Sequence, residues 1–328
     1  MTTLVTGATG LVGSRVVAHL VAAGQRVRIL RRAASSLDLL GSNSEKVEHA
    51  VGDITEADSI EAAFAGVDRV FHIAASLADQ SGADRRFLHR VNVAGTANVV
   101  NACLHAGVGR LVHTSSMAAF GRGFDHNRAI DETADWEASS SNSDYAWSKH
   151  LAELEVFRGI GEGLSAVIVN PSLIFGVGRT TENTRRIIES VRRRRVPAIP
   201  SGGTNVVDVE DVAIGHLRAM ETGVIGERYF LGSQNLSWKE IIETIASAFN
   251  VKPPKRIVRP AVAYAIAVAS EAIGLVPGIR PLITRERARY TAATFTYDNS
   301  KARAELGMQF RSFRETMTRI AAELSVAG

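Results

Sequence analysis

The chain has 328 residues, of which 45% are hydrophobic and 22% charged, and its formal net charge is +4. This length exceeds what one hydrophobic core usually serves, so we expect a large domain with a smaller appended unit. The composition excludes a disordered chain, and a single cysteine, Cys103, excludes an intramolecular disulfide framework. Because Cys103 lies in an apolar helical pattern, we interpret it as a small core residue.

Two local features bear on partners and location. The arginine run at 192–195 has neither interleaved aromatic residues nor a nucleic-acid-binding motif, so it indicates a solvated helix face and no nucleic-acid partner. A strand at residues 3–6 leaves no room for an export signal before it, and we expect a cytoplasmic protein. The longest apolar run, 261–276, is 16 residues long, whereas a membrane-spanning helix needs about 20. It predicts a helix covering a substrate pocket, with a position on a membrane surface as the alternative.

Short β-rich apolar segments alternate with helical patterns along the first half of the chain. The predicted strands are residues 3–6, 26–30, 47–51, 69–73, 110–114 and 166–169. Apolar residues at helical spacing predict crossover helices over 11–23 and 84–106, with Gly24 and Gly107 as their C-caps. This alternation predicts an α/β fold with a doubly wound parallel sheet.

The pattern loosens into helix and loop after Pro171. Residues 205–209 and 228–231 nevertheless predict strands that return to the main sheet. We therefore expect a discontinuous organisation, with a sheet domain of residues 1–170 and 205–231. Residues 171–204 and 232–328 are then a smaller, mostly helical lobe that binds the substrate.

The segment TGATGLVG, residues 6–13, follows the first strand and opens the first helix. Its glycines, Gly7, Gly10 and Gly13, allow a tight turn and a close backbone approach, while amides at the helix N-terminus meet the negative charge of a pyrophosphate. In this strand-turn-helix position the triplet predicts a dinucleotide-binding Rossmann domain. The cofactor contacts expected from this segment are Gly7, Thr9, Gly10, Leu11 and Val12.

The second strand carries the information on cofactor choice. No Asp or Glu occurs from 14 to 37, where an NAD enzyme usually places a carboxylate for the ribose 2′-hydroxyl. The strand ends instead in Arg31 and Arg32, whose guanidinium groups suit a 2′-phosphate. This favours NADP(H), with NAD possible, and the alternative is that both arginines only solvate a loop. Asp53, next to Ile54 after the third strand, is placed either to reach the adenine edge or to cap its loop.

Candidate catalytic residues follow the fifth strand. Ser115 and Ser116 end that strand, and YAWSK, from Tyr145 to Lys149, opens a helical stretch over 144–160. The four-residue spacing puts Tyr145 and Lys149 on one helix face, so the ammonium can favour the ionised phenol. A free phenol has a pKa of about 10, so a tyrosine acid/base needs such help at neutral pH. By itself the pair is equally compatible with a surface tyrosine and a solvated lysine.

The chain resembles the extended short-chain dehydrogenase/reductase family, within the NAD-dependent epimerase/dehydratase superfamily. The resemblance rests on an ordered series of segments: TGATGLVG, GDI at 52–54, HIAA at 72–75, VNVAGTANVV at 91–100, TSS at 114–116, YAWSK, NPSLIFG at 170–176, VVDVEDVA at 206–213, GERYFLG at 226–232 and YDNSKARAELG at 297–307. Within the family the chain is most similar to the dihydroflavonol 4-reductase-like branch, whose names say little about substrate.

The resemblance implies roles for individual residues. It implies that Tyr145 is the acid/base, that Lys149 lowers its pKa and holds the nicotinamide ribose, and that Ser116 hydrogen-bonds the reacting oxygen. Ser116 is the match, rather than Ser115, because it directly precedes MAAFG. Further cofactor contacts are implied for Ala74, Ala75, Thr114, Pro171 and Ser172, with Asn92 structural or cofactor-supporting.

Three functions fit this pattern. The first is an NADP-dependent carbonyl reductase or alcohol dehydrogenase acting on a small molecule. The second is a sugar-nucleotide epimerase or dehydratase that uses the same three residues, Ser116, Tyr145 and Lys149, without consuming the cofactor. The arginine run at 192–195 and Arg179 could then meet a diphosphate. The third is a non-catalytic NADP-binding sensor, against which the intact triad counts. No metal is expected.

Substrate contacts and assembly are also predicted. Residues expected to face the substrate are Ser76, Leu77, Met117, Phe120 and Phe175, each of which could equally be core packing. The helices over 84–106 and 144–160 have longer apolar faces than one sheet needs. The resemblance implies that they pair across a two-fold axis as a four-helix bundle, which predicts a homodimer.

Overall fold

The computed structural model of the chain describes residues 1–77, 85–121, 128–137, 142–180, 183–273 and 283–326. Its strands are β1 Thr2–Thr6, β2 Arg26–Arg31, β3 Glu48–Val51, β4 Arg69–His72, β5 Arg110–Thr114, β6 Ala166–Pro171, β7 Leu173–Phe175, β8 Ile199–Pro200, β9 Gly203–Asp208, β10 Arg228–Leu231, β11 Gln234–Ser237 and β12 Ile257–Val258. Seven of them form one parallel sheet in the order β3, β2, β1, β4, β5, β6, β10. Chain order reverses between β1 and β4, which leaves a crevice at the carboxyl ends of these strands.

Helices connect and cover the strands. They are α1 Leu11–Ala22, α2 Ala57–Ile60, α3 Arg85–Leu88, α4 Gly95–Ala106, α5 Asp144–Gly161, α6 Asn183–Arg192, α7 Val209–Thr222, α8 Trp238–Ala248, α9 Pro260–Ile273, α10 Arg285–Ala292, α11 Ser300–Glu305 and α12 Phe313–Val326. A π-helical turn, His89–Ala94, joins α3 to α4. A 3₁₀ turn, Met117–Phe120, follows β5.

The predicted doubly wound α/β class is confirmed. All six strands predicted in the first half are present, with ends within two residues of those expected. Every residue of β1 and β6 is buried, as is typical of parallel strands covered on both faces. Gly24 and Gly107 have φ angles of +70° and +65°, the left-handed conformation that ends a helix. The predicted helix over 84–106 is α3, the π turn and α4, and Asp84 lies outside the described residues.

One strand prediction is wrong in its partner. Residues 228–231 do join the main sheet as β10, but 205–209 do not. Instead, β9 lies in a separate three-stranded sheet, parallel to β7 and antiparallel to β11, and Val209 already begins α7. All six residues of β9 are buried, so its sequence resembles a central strand of any sheet. A buried apolar run predicts burial on both faces but does not specify the neighbouring strands.

The small sheet supports a second hydrophobic core. This core lies among the small sheet and α6, α8 and α12, and it includes Phe175, Val206, Ile241 and Phe313. Val207, the next residue of β9, belongs instead to the core around α1 and α7. Cys103 is fully buried, which confirms its prediction as a core residue.

The apolar run at 261–276 forms α9, and 274–276 lie outside the described residues. The run was predicted to cover a pocket, but four large apolar side chains of α9 are 44–57% exposed. In the part of the chain that the structure describes, no helix is long and apolar enough to cross a membrane.

Candidate active site

The glycine turn after β1 brings the chain against the end of β4. Gly7 has a φ of +68°, and a Cβ atom there would lie 2.6 Å from the amide nitrogen of Ala74. A Cβ on Gly13 would overlap the carbonyl oxygen of Gly7, so α1 can start this close to β1 only with glycine. The amide of Gly10 donates to the Gly7 carbonyl at 3.0 Å. The turn therefore forms a backbone cradle at the N-terminus of α1, where Leu11 begins the helix.

The two arginines that end β2 have different surroundings. The Nε of Arg31 donates to Nδ1 of His49 at 2.9 Å, and its Nη1 donates to the carbonyl oxygens of Arg32 and Ala33, each at 3.3 Å. Arg32 is exposed, and no hydrogen bond or ion pair joins its guanidinium to a residue that the structure describes. Through Nε and Nη1, Arg31 thus shapes the loop, whereas Arg32 makes no such contact and can meet a ligand with its whole guanidinium.

Arg179, from the segment predicted to belong to the substrate lobe, contacts both the glycine turn and the loop after β2. Its Nη2 donates to the carbonyl oxygens of Thr9 at 2.9 Å and Ser36 at 3.1 Å. It therefore lies beside the glycine turn proposed for the cofactor, whereas the sequence analysis considered it for a contact with the diphosphate of a sugar nucleotide.

Asp53 caps its own loop, which is the alternative that the sequence left open. Its Oδ1 accepts hydrogen bonds from the amide and the hydroxyl of Thr55, both at 3.0 Å. Ile54 is buried against Gly95, where a Cβ would lie 2.8 Å from the Ile54 Cδ1. This pair thus positions the loop after β3 against α4.

The structure brings Ser116, Tyr145 and Lys149 together. Ser116 caps the 3₁₀ turn after β5, its Oγ accepting from the Ala118 amide at 3.2 Å. Tyr145 lies in the first turn of α5, and its phenol is close enough to Ser116 for that side chain to lower the pKa of the phenol. Lys149 lies one helical turn later, is 1% exposed, and donates from Nζ to the Thr114 carbonyl oxygen at 2.7 Å.

Burial dominates the proton affinities of the two titratable members. Burial raises the pKa of Tyr145, and the nearby Ser116 side chain only partly opposes this rise. Burial lowers the pKa of Lys149 to about 8, while the carboxylate of Glu153 acts in the opposite direction. At neutral pH the phenol is therefore a proton donor beside a largely protonated lysine.

Glu153 is a site residue that the sequence analysis missed. It follows Lys149 by one helical turn and is 1% exposed, and burial raises its pKa. Asn170 donates from Nδ2 to Glu153 Oε1 at 2.6 Å and to the carbonyl oxygen of Ser116 at 3.1 Å. Arg228 approaches the other carboxylate oxygen at 3.5 Å. This network connects α5 to the strand ends that carry Ser116.

Asn92 holds the loop after β4 against the same helix. Its Oδ1 accepts from the Ser76 amide at 2.7 Å, and its Nδ2 donates to the Ser76 carbonyl at 3.0 Å and to Ser148 Oγ at 2.9 Å. Ala75 and Leu77 in this loop are exposed. The described part of the loop thus lies at the mouth of the crevice.

An apolar wall stands behind Ser116. Met117 and Phe120 are buried with Phe230 and Tyr297 in one cluster, and the rings of Phe120 and Phe230 are 6.0 Å apart. Phe175 is placed elsewhere, in the second core, with its ring 4.7 Å from that of Phe313.

The end of β6 lies next to the edge strand of the main sheet. Pro171 is the last residue of β6, and the Ser172 amide donates to the Leu231 carbonyl at 3.0 Å. Both residues are buried at this edge.

Three buried histidines lie beneath the site, and the sequence analysis missed these as well. Nδ1 of His72 is 2.8 Å from the Thr6 hydroxyl, and Nε2 of His216 is 2.6 Å from the Thr114 hydroxyl. Burial lowers the pKa of His72 to about 3 and that of His216 to about 4, and it also lowers the pKa of His113. All three are therefore neutral at physiological pH.

The parallel sheet, the glycine cradle and the grouped Ser116, Tyr145 and Lys149 define a protein of the extended short-chain dehydrogenase/reductase class. The model of the NAD dependent epimerase/dehydratase family matches residues 3–232. The chain belongs to this family.

Similar proteins and structures agree with this assignment. The chain is 35% identical to a putative dihydroflavonol 4-reductase from Synechocystis sp., covering 95% of this chain and 91% of that protein. It is 32% identical to sterol demethylase protein B from Methylococcus capsulatus, covering 94% and 93%. The crystal structure of gox2253 is 36% identical, with a TM-score of 0.86 over 100% of this chain and 98% of that one. Relatives named as reductases and hydroxysteroid dehydrogenases confirm the predicted class, an NAD(P)-dependent oxidoreductase.

Proposed function

We propose that this protein is an NADP(H)-dependent carbonyl reductase or alcohol dehydrogenase in which Ser116, Tyr145 and Lys149 act on the substrate. The observation that carries the proposal is the geometry around Lys149. Its buried ammonium donates to the Thr114 carbonyl one helical turn after Tyr145, whose phenol lies near enough to Ser116 to feel that side chain in its pKa. In the reducing direction, Tyr145 donates its proton to the carbonyl oxygen while Ser116 hydrogen-bonds that oxygen. Reduced nicotinamide supplies the hydride when it is bound.

The cofactor is assigned to the domain of residues 1–170 and 205–231, although β9 belongs to the small sheet. A cradle that Cβ atoms would fill, at the N-terminus of α1, fits a diphosphate. The exposed guanidinium of Arg32 fits a ribose 2′-phosphate, which favours NADP(H) over NAD. The remaining proposed contacts are Thr9, Leu11, Val12, Arg31, Asp53, Ile54, Ala74, Ala75, Thr114, Pro171 and Ser172.

The substrate is assigned to the lobe of residues 171–204 and 232–328 together with the wall behind Ser116. Met117 and Phe120 make this wall apolar. Relatives are named for alkyl-oxoalkanoates, a farnesyl quinoline oxide and hydroxysteroids. We therefore favour a lipophilic ketone or secondary alcohol as substrate.

One observation favours the second candidate, a sugar-nucleotide epimerase or dehydratase. Arg186, Arg193 and Arg195 line an open cleft of about 210 Å³ beside α6 together with Glu189, which pairs with Arg193 at 3.2 Å. The remaining excess of positive charge would attract a diphosphate. The two functions differ in cofactor balance, since an epimerase regenerates its cofactor in every turnover and a reductase consumes it.

Absorbance at 340 nm tests the proposal, because it follows the consumption of NADPH. The protein is incubated with NADPH and a panel of aldehydes, aliphatic ketones, steroid-like and flavonoid-like carbonyls and nucleotide sugars. Net loss of NADPH with a carbonyl compound supports a reductase. Conversion of a nucleotide sugar without net loss would identify the second candidate instead.

Replacing Tyr145 by phenylalanine tests the catalytic assignment. Tyr145→Phe removes one proton donor and scarcely alters shape, so turnover should fall about 100-fold to 10,000-fold while NADPH affinity stays nearly unchanged. Tyr264→Phe, the same deletion on α9, is the matched control and should keep normal turnover. Retention of more than about a tenth of wild-type activity by Tyr145→Phe would contradict the mechanism, because that loss is only about 1.4 kcal/mol.

A further inference from the structure

Helix α9 exposes a continuous apolar stripe. The stripe consists of Ala261, Val262, Ala265, Ile266, Val268, Ala269, Ala272 and Ile273, all of them exposed. At 3.6 residues per turn these positions cover about 160° of the helix circumference. No polar side chain interrupts them, so this face offers only hydrocarbon to its surroundings.

The opposite side of α9 holds the helix to the protein. Ala267 and Ser270 are buried, and Glu271 forms an ion pair of 2.5 Å with Arg285 at the start of α10. The Tyr264 hydroxyl accepts a hydrogen bond from Arg289 at 3.1 Å. The one charged residue of α9 is therefore on the attached side, and the exposed stripe is not needed to hold the helix in place.

A basic segment leads into this helix. Lys252, Lys255, Arg256 and Arg259 are all exposed within the eight residues before Pro260, and no Asp or Glu occurs from 251 to 270. None of these four side chains forms an ion pair with a residue that the structure describes. The N-terminus of α9, the positive end of the helix dipole, lies at the same place. Unpaired cations thus border an uninterrupted apolar face.

We propose that α9 and this basic segment dock onto an anionic lipid surface. A membrane interface offers hydrocarbon to the stripe and phosphate groups to the cations, side by side, which matches the arrangement on the protein. Fourteen residues of α-helix are about 21 Å long, short of the roughly 30 Å hydrocarbon core, so α9 lies in the plane of the headgroups. The basic segment contains no Asp or Glu that could pair with the cations of a second copy of this chain, so phospholipid is favoured as the partner.

The docking helix is connected to the apolar wall of the candidate site. After α10, the chain places the ring of Tyr297 5.1 Å from that of Phe230, which in turn contacts Phe120, four residues after Ser116. The docking proposal itself does not depend on the proposed reaction.

Co-sedimentation of the whole chain with vesicles tests the proposal. We expect binding to vesicles of equal parts phosphatidylcholine and phosphatidylglycerol, weak binding to phosphatidylcholine alone, and release by salt. Ile266→Asp should abolish binding, while Ile225→Asp, the same change at a residue 49% exposed outside α9, should leave it intact. Each cation replaced, as in Lys255→Gln or Arg256→Gln, should weaken binding about fivefold.

Three results would overturn the proposal. They are no binding to the anionic vesicles, equal binding by Ile266→Asp and Ile225→Asp, and a fall in oligomeric state of Ile266→Asp by light scattering, which would show that a second copy covers the stripe. Circular dichroism of Ile266→Asp should match that of the wild type, because the opposite side of α9 holds the helix.

Discussion

Arg31 and Arg32 are neighbours in sequence but differ in what they are free to do. Arg31 is held by His49 and by two carbonyl oxygens, whereas Arg32 is exposed. Arg32→Ala should therefore weaken NADPH binding by about 1.5 to 3 kcal/mol and NADH binding much less. Fluorescence titration of both cofactors measures this difference.

Arg31→Ala is the companion variant for that titration. Since Arg31 shapes the loop, its loss should weaken NADPH and NADH more evenly. Equal affinity of the wild type for NADH and NADPH would contradict the assignment of Arg32 to a 2′-phosphate.

Glu153 should set the alkaline limit of activity through Lys149. Its carboxylate raises the pKa of a lysine that burial lowers to about 8. In Glu153→Gln the pKa of Lys149 falls further, so Lys149 loses its proton at lower pH and activity declines earlier as pH rises. We expect kcat/KM to drop roughly threefold to tenfold at pH 8 and less at pH 6.5.

The pH profile of kcat/KM distinguishes this positioning role from a purely structural one. Glutamine keeps an oxygen that can accept from Asn170, so Glu153→Gln should fold normally. Glu155→Gln, which breaks only the partly exposed ion pair with Arg158, is the matched control and should keep the wild-type profile. A uniform loss at every pH in Glu153→Gln would show that its charge does not act on Lys149.

Only part of this site can be predicted from the sequence, and the reason is physical. Tyr145 and Lys149 were predictable from helical spacing, and Glu153 was available from the same four-residue step. Asn170 and Arg228 were not, because they come from β6 and β10, and only the order of strands in the sheet brings them to one carboxylate.

At the scale of elements, the local sequence pattern predicted the type of each segment, helix or strand, more accurately than it predicted the neighbours of that segment. The strands of the first half follow from apolar runs bounded by helical patterns. The partners of β9 do not, because its burial on both faces comes from two different cores. The exposure of α9 likewise could not be predicted from composition, since an apolar run has the same composition whether the helix is buried or exposed to solvent.

The pairing of α4 and α5 predicts a homodimer. Leu154 and Phe157 on α5 are exposed apolar residues on the helix pair that the four-helix bundle would use. Light scattering at micromolar concentration should give twice the monomer mass for the wild type. Leu154→Asp combined with Phe157→Asp should give a monomer, because a two-fold interface then places four carboxylates in an apolar seam.

Ile225→Asp is the control for this experiment, since it adds a carboxylate at an exposed apolar residue outside α4 and α5. It should leave the mass unchanged. A wild-type monomer would refute the assembly prediction.

At the scale of the whole molecule, the buried histidines should make folding acid-sensitive. In the folded chain the pKa of His216 is about 4, but the unfolded chain takes up that proton near pH 6.5. Between these values the unfolded state binds more protons, so stability falls as pH falls. His216→Gln should reduce the slope of unfolding free energy against pH by at most about 1.4 kcal/mol per pH unit, with the largest reduction near pH 5.

Urea unfolding from pH 6.5 to 4 measures this slope. His105→Gln, on the exposed side of α4, should leave it unchanged. Identical slopes for the wild type and His216→Gln would mean that His216 is protonated in the folded protein as readily as in the unfolded one.

Strand β9 gives the molecule a property that neither core has alone. Val206 and Val207 are adjacent and fully buried, yet they belong to different cores. One strand therefore contributes a side chain to each of the two cores. Unfolding of either core would remove the residues that pack on one face of β9 and expose the apolar side chains of that face to water. The two parts of the chain are therefore thermodynamically coupled and should unfold cooperatively, so that a ligand that stabilises one core also protects the other.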